Sequence, residues 1–264
     1  MKRVDSVISL IYSMSKAEKK AFSVQMLKDK EEKDYLVIYD IITKSKQLDS
    51  KNVKGEFHKR RPGGSFEVSI QYLYERLTDS LLTLRKKKDI YYDLLNNLCK
   101  ARMLYERSLF EECFEILSDT IEQATYYENN EVLTIALKLE LEYLLRLNFP
   151  NLAESELYHK HFMQNEALKK TRKIVEQSSL HNLLKYRLSH IGSIRTSKQK
   201  QDMNDLMVNE LSIAASSGIE GNFELMRNHR LFQANYLMGA GEYKAALNSY
   251  KELSRLFEQN RQVL

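Results

Sequence analysis

The stretch from Asn222 to Phe257, NFELMRNHRLFQANYLMGAGEYKAALNSYKELSRLF, constrains this chain more than any other. It reads as two antiparallel helices broken at Gly239-Ala240-Gly241. In the second, Tyr243, Ala246, Leu247, Tyr250, Leu253 and Phe257 recur at helical spacing and form one apolar stripe. The small Ala246 predicts a close approach by the first helix. A pair of this size cannot bury its apolar face alone, so the pattern predicts further helix pairs stacked beside it.

Composition extends that reading to the whole chain. Gly and Pro together supply 10 of 264 residues, well under the usual share, which leaves few places for the backbone to turn. Apolar residues recur at helical spacing, with no run of period-two alternation bounded by turn residues. The expectation is an all-α protein without strands. Cys99 and Cys113 form neither a CxxC motif nor a secretory framework, and both are expected reduced and buried. No signal peptide is visible and no apolar run approaches a membrane span, so a cytoplasmic protein without a membrane partner is expected.

Charge is placed unevenly. Residues 1 to 100 carry 21 Lys/Arg against 14 Asp/Glu, while residues 101 to 264 carry 20 against 22. The basic third, residues 1–88, reads as a small helical bundle. A helix over Val4 to Tyr12 is followed by the capping box Ser15-Lys16-Ala17-Glu18, which opens a second helix to about Lys28. A third spans Lys33 to Lys46, and Asp49-Ser50 caps a short one through Phe57. The loop Arg60-Arg61-Pro62-Gly63-Gly64-Ser65 then leads into a long helix ending in Arg85-Lys86-Lys87-Lys88.

Residues 89–264 look repetitive. Leu94, Leu98, Ala101 and Tyr105 make one stripe, and Phe110, Cys113, Leu117, Ile121 and Ala124 make the next. Glu131 to Leu147 carries two apolar faces, as a stacked element requires. Pro150 stands where a helix can begin. A return helix is expected over Leu152 to Asn165, then a long or broken one over Leu168 to Ile194, and another over Met203 to Ala215.

Gly241-Glu242-Tyr243-x-x-Ala246-x-x-x-Tyr250, preceded by Ala234 and Leu237, resembles a tetratricopeptide repeat (TPR). Ala101, Leu104, Ser108, Phe110, Cys113 and Leu117 resemble it more weakly. Turns near Ser108, Phe149, Ser197 and Gly241 stand 41, 48 and 44 residues apart, against about 34 for that repeat class. Ser15 to Lys20 with Phe22, Tyr35-Leu36 and Tyr72-Leu73-Tyr74 resemble the opening of a group of uncharacterised bacterial helical-repeat proteins, a likeness that implies no activity. The expected architecture is an N-terminal helical bundle followed by an irregular, right-handed, TPR-like α-solenoid of about four helical hairpins. The chain ends just after a second helix, with Leu253 and Phe257 expected to lie uncovered. That points to a truncated array or to a homo-oligomer formed through the C-terminal edge.

Chemistry-bearing motifs are sparse. Glu154, Glu156 and His159 include one Glu-x-x-His, but a di-iron bundle needs a second copy and two further Glu residues. No metal or cofactor is expected. There is no P-loop and no nucleophile elbow, and neither Cys has a recognisable nucleophile setting, so catalysis is not expected.

Binding is the expected activity. By the repeat resemblance, the first helix of each hairpin lines a concave groove, which assigns a protein or peptide partner to Leu98, Arg102, Tyr105, Asn228, Leu231, Asn235 and Met238. The Asn amides would clamp an extended backbone, and the Met and Tyr side chains would supply adaptable apolar contact. The alternative is a regulator whose basic bundle touches nucleic acid through Lys51, Lys54, Lys59, Arg60, Arg61, Lys86, Lys87 and Lys88.

Overall fold

A computed structural model describes residues 2–26, 33–44, 49–86, 88–191, 196–216 and 222–261. The chain is all-α, with no strand among the described residues. It divides into two compact units, Met1–Asp93 and Leu94–Leu264.

The first unit contains α1 (Lys2–Ser13), α2 (Lys16–Met26), α3 (Asp34–Lys44), α4 (Ser50–Arg60) and α5 (Phe66–Lys86). The ends expected for the second and third helices, Lys28 and Lys46, lie outside the described residues. The capping box forms reciprocally: the Ser15 N–H donates to Glu18 Oε2 at 2.7 Å, and the Glu18 N–H donates to Ser15 Oγ at 3.2 Å. Asp49 caps α4 by accepting the Asn52 N–H at 2.8 Å.

Helix α3 buries Tyr35, Val37, Ile38, Tyr39, Ile41 and Ile42, nearly its whole circumference, as a helix enclosed by others must. Around it α5 packs against all four other helices of the unit. Ile11, Phe22, Ile38, Phe57, Leu73 and Leu77 are fully enclosed there. Gly64 sits where a Cβ would lie 2.8 Å from the Phe57 ring, so the loop can close over the core only without a side chain.

The division between the units falls inside α6 (Ile90–Glu106). Next come α7 (Phe110–Tyr126) and α8 (Asn130–Arg146), so three 17-residue helices start 20 residues apart. Each ends in the same turn. Ser108, Glu128 and Asn148 take positive φ, and the residue after each donates its N–H five residues back, from Leu109 to Leu104, Asn129 to Ala124 and Phe149 to Leu144.

The last hairpin, α11 (Phe223–Gly239) and α12 (Tyr243–Gln259), repeats both features with Gly241 at φ 81°. Helix starts 20 residues apart give a pair period of 40, longer than the 34 of tetratricopeptide repeats.

Between these pairs the structure departs from expectation. Instead of a break between Asn165 and Leu168, one helix, α9, runs from Glu154 to Ile191 over 38 residues. No Gly or Pro interrupts that span, and Ala167, at the expected break, is buried. Helix α9 packs against α8 along its first half and against α10 (Ser197–Ser216) and α11 along its second. The helix does not begin at Pro150, because Phe149 and Asn151 take positive φ on either side of it.

The C-terminal edge also differs. Leu253 is buried, and Phe257 is half-buried with its ring against Phe223 at 5.5 Å. Tyr243 and Leu247 are the exposed members of that stripe instead. No helix among the described residues is long and apolar enough to cross a membrane.

Candidate binding groove

Between α7, α8 and the start of α9 lies a groove of about 620 Å³. Phe114 and Ile121 of α7, Leu137 and Leu144 of α8, and Leu152 and Met163 supply its apolar walls. Glu140 also lines it with only 8% of its side chain exposed, and Lys160 places Nζ 2.8 Å from both Glu140 carboxylate oxygens. Such a charge is retained in an apolar setting only when it is paired and hydrogen-bonded. Ser155, Glu156 and His159 form the polar rim. This volume falls within the range of small-ligand and side-chain pockets, with apolar walls and a few convergent polar groups.

The residues assigned to a concave groove are not gathered there. Leu98 is buried. Arg102 is exposed and paired with Glu106 at 3.2 Å along its own helix. Tyr105 stacks flat on Tyr143, with ring centroids 3.8 Å apart, so it serves the packing of α6 on α8. Leu231 packs half-buried beside Phe223, Leu253 and Leu256, and Met238 is 46% exposed at the far end of α11.

The two asparagines expected to clamp a backbone are both turned into the packing of the helices. Asn228 is buried, donates to Ser178 Oγ at 3.3 Å and accepts from Arg227. Asn235 is also buried. Its Nδ2 donates to the Leu231 carbonyl at 2.8 Å and lies 3.0 Å from His181 Nε2, while its Oδ1 accepts the Tyr250 hydroxyl at 3.2 Å. These amides clasp α9, α11 and α12 together, and both partners of the Asn235 Nδ2 lie within the fold. Burial holds the His181 imidazole below its ordinary pKa, with Lys185 adding to the effect.

The basic surface of the first unit is largely matched by its own carboxylates. Lys54 pairs with Glu67 and Lys59 with Glu56, each at 2.6 Å; Arg60 pairs with Asp40 at 3.0 Å and Arg61 with Asp34 at 3.6 Å. Lys51 is exposed beside Lys54 on a cavity of about 370 Å³ that also holds Glu67. Lys86 is half-buried and Lys88 exposed, and Lys87 lies outside the described residues. Pairing of this kind leaves less net field for a phosphate backbone than the bare count of cations implies.

Cys113 is buried, and burial pushes its thiol up from the ordinary value, whereas Cys99 is exposed and not buried as expected. No cluster of three or more His, Cys, Asp or Glu side chains among the described residues could hold a metal ion.

Glu140 carried the one sequence signal for the groove. It stands between Leu137 and Leu144 on an apolar face, and its partner Lys160 follows 20 residues later across a turn that spacing alone does not define. Compared with known proteins, the chain matches no family model, no curated protein and no solved structure.

Proposed function

We propose that the chain is a non-catalytic, TPR-like helical-repeat scaffold that holds a segment of a partner protein in the groove between α7, α8 and α9. The observation that carries this reading is the combination of apolar walls with a buried ion pair, Glu140–Lys160, at one site. A peptide suited to it presents one or two large apolar side chains to Phe114, Ile121 and Met163. Its backbone amides or a polar neighbour then meet Glu156, His159 and the outer face of Lys160. Repeated 17-residue helices closed by the same turn support a stacked-array role, since such stacks present extended surfaces to partners.

The test is selection of a displayed random peptide library on the purified chain, followed by titration of enriched peptides against wild type and Met163→Glu. Enriched peptides rich in large apolar residues, with affinity reduced at least tenfold in the variant at unchanged helicity, support the reading. Absence of enrichment, or equal binding to both proteins, removes it.

A further inference from the structure

The face of α9 turned away from the groove carries Tyr158, Phe162, Leu168, Val175, Leu183 and Tyr186, each between 47% and 68% exposed. Their order along the helix is not random. Tyr158 and Tyr186 are 28 residues apart, Phe162 and Leu183 are 21 apart, and Leu168 and Val175 are 7 apart. Each separation is a whole number of heptads, so the members of each pair share a face of a helix that winds against a neighbour. The three pairs are nested, with midpoints within half a residue of position 172.

A set of apolar side chains placed alike from both ends of a helix is what an isologous twofold contact requires: when two antiparallel copies meet, residue i faces residue j and j faces i. We propose that two copies of this chain associate through α9, antiparallel, with the twofold axis at Arg172. Tyr158 of one copy then lies over Tyr186 of the other, and Phe162 over Leu183. Leu168 and Val175 interdigitate beside the axis.

Area and charge both fit a second copy. The six side chains expose roughly 600 Å² per copy, which with their polar borders approaches the roughly 800 Å² per partner of a standard stable interface. At the axis, Arg172 is paired with Glu176 one turn along at 2.8 Å. Two such pairs related by the axis bring each guanidinium near the carboxylate of the other copy. The two arginines are thereby offset, and the register is marked by the charged residues at the middle of the seam. Along α9 the groove residues His159, Lys160 and Met163 lie on the other face, so pairing leaves the groove open.

Sedimentation velocity of the full chain over a wide concentration series, comparing wild type with Phe162→Glu/Leu183→Glu, tests the association. A dimer in wild type, weakened at least tenfold in the variant at unchanged far-ultraviolet circular dichroism, is the expected result. A wild-type monomer at every concentration, or a dimer unaffected by the two substitutions, overturns the proposal. The register is read separately in a Cys99→Ser background. Tyr158→Cys mixed with Tyr186→Cys should oxidise to a mixed disulfide dimer, with little self-linking of either variant alone. Preferential self-linking of Tyr158→Cys would indicate parallel copies and overturn the antiparallel assignment, and this readout holds even if the double variant folds poorly.

Discussion

Lys160 Nζ lies 2.8 Å from each carboxylate oxygen of Glu140, so one ammonium supplies both charge-assisted hydrogen bonds to a carboxylate that is almost fully enclosed. Removing only the cation leaves a buried charge without a partner, which costs about 3 kcal/mol or more. Lys160→Met should therefore lower stability by roughly that amount in urea denaturation. The double variant Glu140→Met/Lys160→Met should recover most of the loss, because two apolar side chains of similar size replace two desolvated ions. A single variant as stable as wild type would show that the pair is solvated.

Asn235 links three helices through Leu231, His181 and Tyr250. Asn235→Ala strands the buried partners of that amide and should cost about 2 kcal/mol. Affinity for a groove peptide should stay the same, since Asn235 does not line the groove. Calorimetric unfolding paired with a binding titration checks both halves. Lost binding at unchanged stability would return Asn235 to a ligand-contacting role.

The same network gives a pH dependence. His181 is held below its ordinary pKa by burial first and by Lys185 second. In the unfolded chain the imidazole takes up a proton near about 6.5, while in the fold it stays neutral to lower pH. As pH falls below that value the unfolded state binds more protons, so stability drops until the folded imidazole also protonates. Wild type should lose stability relative to His181→Gln as pH is lowered from neutral, whereas their difference should be flat above neutrality. A difference independent of pH across that window would contradict the assignment.

The shared helix-ending turns allow a matched pair of substitutions. Ser108 and Glu128 both take positive φ, where glycine has no Cβ penalty. Ser108→Gly should stabilise by about 0.5–1 kcal/mol, because its side chain is exposed at a helix end. Glu128→Gly should not, because Glu128 Oε2 accepts the Phe223 N–H at 2.8 Å and that bond would be lost. Equal gains at both sites would mean that the Glu128 contact contributes nothing.

The capping box of α2 offers a further test, at a carboxylate. Glu18 is held below the usual carboxylate range first by the Ser15 backbone N–H and then by the Ser15 hydroxyl. A depressed carboxyl pKa contributes stability above the unfolded value, and that contribution fades as pH falls through the folded one. Glu18→Gln should thus be less stable than wild type near neutrality, with the gap closing in acid. A gap that persists at the lowest pH would point to packing and not to charge.

By itself the sequence determined the helical class, the capping box at Ser15, the cap at Asp49, and the break at Gly239 to Gly241, because each depends on neighbours within a few residues. The apolar stripes of α6, α7 and α8 were legible for the same reason. Tertiary structure alone decided which polar side chains turn inward. Asn228 and Asn235 read as surface amides until α9 and α12 supplied Ser178, His181 and Tyr250 as partners. It also decided that α9 continues through Asn165 and Leu168, since packing against two sets of neighbours sustains a helix whose local apolar signal is split between faces. Beyond the polar Glu140 on an apolar face, the groove and the partner of Glu140 were not legible, because they need three helices brought together by a turn with three positive φ angles, at Asn148, Phe149 and Asn151. Side-chain spacing reports which residues share a helical face, but only packing settles what that face meets.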